Sequence, residues 1–161
     1  MMGLNRNDDD DFYLTKNLFG NDSLSNLKEM DKYPINKFGI FVPSFNSLRH
    51  PDAKYHSHPS YMFKISPNGM KKLKIEDEII KIKSGKLYAI SPFMKHHEIS
   101  EEEFSRFYAV LIDKDYFENI LSLYSIKPYM FKGDYFESSI SLIYQIKEYI
   151  VEYESHGNKS R

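Results

Sequence analysis

The stretch HSHPSYMFKISPNGMKKLKIEDEIIKIKSGKLYAISPFMKHH, from His56 to His97, decides how the rest of this chain is read. On an extended strand successive side chains alternate faces, so His56 and His58 point to one side and Ser57 to the other. The turn residues Ser66-Pro67-Asn68-Gly69 and Ser84-Gly85 divide the stretch into short segments, and Ser91-Pro92 precedes a second pair, His96-His97. If the segment ending at Pro92 returns beside the first, His96 enters the same space as His56 and His58. Three imidazoles then share one pocket, suited to a metal ion or to a hydrogen-bonded ligand.

Outward from this stretch, short apolar or alternating segments predict strands at Phe38 to Val42, Tyr61 to Ile65, Met70 to Ile75, Glu78 to Ile82, Lys86 to Ile90, His96 to Ile99 and Phe104 to Ile112. Their close spacing and turn punctuation point to an antiparallel sandwich or barrel. At Asp113 the pattern changes. That residue caps a predicted helix in which Phe117, Ile120, Leu121 and Tyr124 recur at helical spacing. A longer helix is predicted from Tyr135 to Tyr153. Its apolar residues, among them Leu142, Ile146, Tyr149, Ile150 and Tyr153, spread wider than the roughly 100° stripe that a helix leaning on its own domain needs. Two readings follow: a homodimer interface on those five residues, or wider burial within the chain; Lys147, inside the apolar arc, tells slightly against the dimer. On the N-terminal side, Asp8 to Asp11 reads as a solvated acidic tail, Phe12, Tyr13, Leu14, Leu18 and Phe19 as an arm able to dock, and Asp22 or Ser23 to Met30 as a short helix ended by Pro34. The resulting plan is an arm and short helix over 1–34, a β-barrel over 35–112, a helical dimerisation region over 113–153 and a linker or truncation point over 154–161.

Composition narrows the function. The chain has 161 residues, one domain's worth, and its 22 basic and 23 acidic residues nearly cancel, which argues against a nucleic-acid surface. With no cysteine there is no disulfide, thiolate metal site or cysteine nucleophile, and no apolar run is long enough for a membrane span or signal core. A cytoplasmic protein with no membrane partner is expected. Thirteen tyrosines and twelve phenylalanines must line an interior or a pocket. P-loop, dinucleotide and nucleophile-elbow motifs are missing, and no internal repeat is visible.

His56-Ser57-His58, Gly69, and then Gly85, Ser91-Pro92 and His96 together resemble the paired motifs of the cupin superfamily. Over residues 35–153 the chain is more closely similar to the N-terminal effector-binding and dimerisation domain of AraC-type transcription regulators. Gly85, Ile90, Pro92 and His96 carry that likeness, with the pre-strand His-x-His and with Phe107-Tyr108-Ala109-Val110-Leu111-Ile112-Asp113 running into a helix. The resemblance implies a mainly β fold, a cupin double-stranded β-helix or jelly-roll barrel followed by C-terminal α-helices that pair two subunits. A small-molecule effector would sit in the barrel. DNA would be contacted only through a further domain with two helix-turn-helix units, so the chain reads as a sensor domain cut from a longer regulator or as a stand-alone relative.

Metal-binding cupins add a carboxylate four or five positions after the second histidine of the first motif; here Met62 and Phe63 stand there. Glu98 shares the face of His96 and is the available substitute, while His97 alternates away. Without the carboxylate a cation loses a ligand and charge neutralisation. Hydrogen bonding of the histidines to ligand or backbone therefore ranks above a divalent ion (Zn, Ni or Fe) on His56, His58 and His96, and no cofactor is required. The expected ligand-binding residues are His56, His58, Tyr61, Phe63, Tyr88 and His96, enclosing a sugar or small aromatic effector. Glu76, Asp77, Glu78 and Glu101 to Glu103 fall in turns, leaving no catalytic carboxylate. The chain is accordingly expected not to be an enzyme, with a metal-dependent dioxygenase or isomerase as the alternative.

Overall fold

The computed structural model describes residues 8–21, 27, 30–44, 55–67, 72–99 and 107–157. Among these, α1 (Asp8–Phe19) is followed by β1 (Met30–Ile35), β2 (Phe38–Pro43), β3 (Ser60–Ile65), β4 (Lys72–Ile75), β5 (Glu78–Lys81), β6 (Lys86–Ile90), β7 (His96–Ile99) and β8 (Tyr108–Asp113). Then come α2 (Lys114–Leu123), β9 (Lys132–Glu137) and α3 (Ile140–Gly157). The strands form a six-stranded sheet in the order β1-β2-β8-β3-β6-β9 and a three-stranded sheet in the order β5-β4-β7. Every ladder is antiparallel. From β3 to β8 the chain crosses between the sheets four times, at β3–β4, β5–β6, β6–β7 and β7–β8, as in a double-stranded β-helix. The mainly β barrel with C-terminal helices is the architecture expected from the sequence.

Two clusters of buried side chains explain why the strands lack clean alternation. Phe41, Met62, Leu73, Ile75, Tyr88 and Leu111 meet between the sheets, joined by Leu18 and Phe19 from the end of α1. Tyr33, Ile40, Val42, Ile65 and Tyr108 meet on the outer face of the six-stranded sheet, under Ile146 of α3. Strands covered on both faces read as continuous apolar runs, and each fully buried side chain contributes about 2 kcal/mol.

Several expectations are corrected here. The acidic run lies in the first turn of α1. Residues 135–137 belong to β9, and the last helix starts only at Ile140. The expected short helix lies mostly outside the described residues, Met30 opens β1, and Pro34 lies within that edge strand, a site proline tolerates. Asp113 does cap α2, its carboxylate accepting from the Tyr116 amide at 3.0 Å. Among the described residues no helix is long and apolar enough to cross a membrane.

The residues expected to form a dimer interface pack inside this chain. Ile146 is buried, and Leu142, Tyr149, Ile150 and Tyr153 are partly buried against the same outer cluster. Tyr149 Oη donates to the Tyr33 carbonyl at 3.3 Å, and Tyr153 Oη to Asp11 at 2.6 Å. A six-stranded sheet and the side of α1 together accept a wider helical face than one neighbour would. The exposed apolar residues of α3 are instead Ile140, Tyr144 and Val151.

Candidate metal centre

His56 precedes β3, and His96 opens β7. Their backbones form a two-way antiparallel bridge: the His56 amide donates to the His96 carbonyl at 3.0 Å and the His96 amide to the His56 carbonyl at 2.8 Å. Residues directly opposed in this way present their side chains to one face, and His58, two positions on, shares it. The turn at Ser91–Met94 is held by the Phe93 amide donating to the His58 carbonyl at 2.7 Å. The sequence patterns around the two motifs therefore position all three rings.

The ring centroids are 4.9 Å (His56–His58), 4.5 Å (His56–His96) and 5.1 Å (His58–His96) apart, and each pair of planes meets at 60°. Nearly equal separations and equal angles describe a propeller around one axis. One nitrogen from each ring lies within 4.8 Å of the others. His58 and His96 are almost fully buried, and His56 is less so, on the outer side of the group.

The second nitrogens fix the tautomers. His58 Nδ1 lies 3.0 Å from the Phe19 carbonyl and His96 Nδ1 2.9 Å from the Met94 carbonyl. A carbonyl oxygen only accepts, so each Nδ1 carries the proton and each Nε2 keeps a lone pair. His96 Nε2 is buried with no hydrogen-bond partner. An orphaned buried acceptor costs about 1–3 kcal/mol. Burial pushes the His58 pKa well below the usual histidine range, reinforced by His96 and His56 and opposed by the Phe19 carbonyl and Glu98. Burial likewise pushes His96 down to about 4, with His56 adding to the effect and the Met94 carbonyl and Glu98 opposing it. Both rings are neutral at pH 7, the state that a metal ligand requires. The donor set thus fits a divalent cation: orphaned lone pair, backbone-anchored tautomers and neutral rings.

The remaining expected site residues fall elsewhere. Tyr61 and Phe63 pack on Phe117 and Phe131, on the face of β3 opposite Met62 and Lys64, so their expected contact with a barrel ligand is corrected. Tyr61 Oη donates to Glu118 at 3.0 Å, and burial together with that carboxylate pushes its pKa up to about 12. Tyr88 does face the interior, but its hydroxyl accepts from the Lys83 amide at 2.8 Å and donates to the Lys81 carbonyl at 3.2 Å, which ties down the β5–β6 connection. His97 turns to Tyr55 instead, with ring centroids 5.3 Å apart. Glu101 to Glu103 lie outside the described residues. Unforeseen from the sequence were the two carbonyl anchors and the ion pair between buried Lys64 and Glu98. A lone lysine among Tyr61, Met62, Phe63 and Ile65 was the available signal for that pair.

No protein-family model matches the chain, and no curated protein matches it. Among solved structures it is similar to a cupin protein from Bacteroides fragilis, at 16% identity over 62% of this chain and 78% of that one, TM-score 0.41. An RmlC-like cupin from Shewanella frigidimarina shares 10% identity over 55% of this chain and 90% of that one, TM-score 0.40. Oxalate decarboxylase from Bacillus subtilis shares 15% identity over 71% of this chain and 41% of that one, TM-score 0.36. These are likenesses at low identity, and the barrel of this chain is read from its own two antiparallel sheets. The expectation of a domain without chemistry of its own is corrected by the site itself, where three imidazoles of metal-ligand type converge in the barrel.

Proposed function

We propose that this barrel is a metal-dependent small-molecule-binding domain in which His56, His58 and His96 hold a divalent cation through one nitrogen each. The observation that carries it is the buried, partnerless Nε2 of His96 inside a three-ring propeller. A divalent cation held by these three imidazoles would supply Lewis acidity towards an oxygen ligand. The chain's own part is to hold the rings: Phe19 and Met94 carbonyls keep Nδ1 protonated on His58 and His96, and the surrounding apolar core excludes water. To test this, chelator-stripped protein is titrated separately with Zn²⁺, Ni²⁺, Fe²⁺ and Mn²⁺, following metal content and thermal midpoint. One equivalent bound, with stabilisation of about 2.7 kcal/mol at a hundred times Kd, is expected. No uptake and no shift with any of the four would overturn the reading.

The effector-sensing reading, as part of an AraC-type regulator, gains from two observations. The last carbonyl of α1 is bonded to His58, so the N-terminal helix and the site are in direct contact. On α3, Ile140, Tyr144 and Val151 are exposed at helical spacing and offer an apolar stripe to a second copy. In this reading site occupancy changes the docking of α1, and α3 pairs the subunits. Hydrogen exchange over 8–19 and 140–157, with and without bound metal, tests the coupling; unchanged protection in both would refute it. Tyr144→Lys with Val151→Glu should convert a dimer to a folded monomer, and a wild type that is monomeric at micromolar concentration would refute the pairing.

A further inference from the structure

The barrel interior holds a charge pair that the packing does not require. Lys64 of β3 faces inward with its side chain wholly buried, its Nζ donates to Glu98 Oε1 on β7, and the same nitrogen lies 3.6 Å from the centre of the Phe107 ring. Burying an ammonium costs several kcal/mol that its partner offsets only in part, and two apolar residues would join the sheets as well. The pair is placed beside the histidines. Glu98 is two residues beyond His96 on one strand, so both side chains leave the same face, and its charge bears on both His58 and His96. Three neutral imidazoles give a dication no charge neutralisation, and Met62, four positions after His58, gives none either.

Resting on the metal reading above, we propose that Glu98 is the anionic ligand of the His56–His58–His96 site and that Lys64 is the counter-ion that neutralises this carboxylate in the metal-free barrel and gives it up to the cation. The carboxylate now lies on Lys64 and is not among the atoms gathered within 4.8 Å. Because Glu98 and His96 leave one face of the same strand, the movement this requires is a turn about the side-chain torsions of Glu98, not a shift of the strands. A dication attracts it more strongly than an ammonium, a carboxylate has two oxygens and can serve both cations, and the Phe107 ring face remains to Lys64 as a second partner.

The test titrates full-length, chelator-stripped protein with Zn²⁺ by calorimetry and with Co²⁺ by visible absorption. Glu98→Gln keeps the side chain's size and should bind both ions 10- to 100-fold more weakly, with an altered Co²⁺ spectrum. Lys64→Met should bind at least as tightly as wild type, since the competing charge is gone. If either single variant fails to fold, the double variant Lys64→Met/Glu98→Gln removes both charges together and should show the same weakening as Glu98→Gln. Wild-type affinity and an unchanged Co²⁺ spectrum in Glu98→Gln or in the double variant would overturn the role of Glu98; weakened binding in Lys64→Met would overturn that of Lys64. A wild type that binds neither ion removes the metal reading itself, a separate result from these.

Discussion

Lowering the pH of the metal-free protein from 7 to 5 should cost about 2 kcal/mol of stability through His96 alone. An unfolded histidine titrates near 6.5, whereas the buried His96 ring titrates at about 4. Between those values the unfolded chain binds a proton that the folded chain refuses. The contribution is therefore fully present above about pH 6.5 and is lost progressively as pH falls towards 4. At pH 5 about 1.5 pH units of that window have been crossed, each worth about 1.4 kcal/mol, which yields roughly 2 kcal/mol. His58 is shifted in the same direction and adds to the loss. With a urea slope of about 2 kcal/mol/M, the midpoint should fall by about 1 M. The assay is urea unfolding by circular dichroism in chelator at pH 7, 6 and 5, run beside His96→Asn, which removes the titrating ring so that carboxylate contributions cancel in the comparison. If the wild-type midpoint moves between pH 7 and 5 no more than that of the variant, the reasoning fails.

Three other outcomes follow from the packing. Ile146→Asp puts a carboxylate into the cluster beneath α3 and should cost more than 3 kcal/mol by urea unfolding; a folded monomer with an unchanged midpoint would refute intramolecular packing of that face. Gly133 has φ +81°, and an added Cβ would lie 2.4 Å from Ile80 Cδ1 and 2.5 Å from Ile75 Cδ1, so Gly133→Ala should lose about 1–3 kcal/mol in the same assay, and an unchanged midpoint counts against the register of β9. Asp113→Ala removes the cap of α2 and should lower stability by about 1 kcal/mol, seen as a few degrees in the thermal midpoint; no shift would mean that the Tyr116 amide finds another acceptor.

The parts of the fold legible in the sequence are those governed by local rules. Lys86–Ile90 and His96–Ile99 form strands with the bounds their patterns predict, because Ser84-Gly85 and Ser91-Pro92 delimit them. The convergence of His56, His58 and His96 needed only strand alternation and one antiparallel return. What stayed hidden depended on tertiary partners. Tyr61-Met62-Phe63 is apolar on both faces because helices cover the outside of the six-stranded sheet, so composition could not say which rings point inward. The strands Met30–Ile35 and Lys132–Glu137 carry proline, glycine and charges, which the two edges of that sheet tolerate and a central strand would not. The broad apolar face of α3 was compatible with a second copy and with the chain's own sheet, and in the structure it packs on the sheet, with Tyr149 bonded to the Tyr33 carbonyl.

The hydrogen bond between the Phe19 carbonyl and His58 makes the front of the chain part of the site's chemistry. A tag, a protease cut or a redesigned start that undocks α1 releases the proton on His58 to either nitrogen and lets the ring turn. Fragments trimmed to the barrel would then report on a different donor set from the one the intact chain carries. Expression design and functional assay are thereby inseparable here: the boundary chosen for the purified protein fixes one of its three imidazoles.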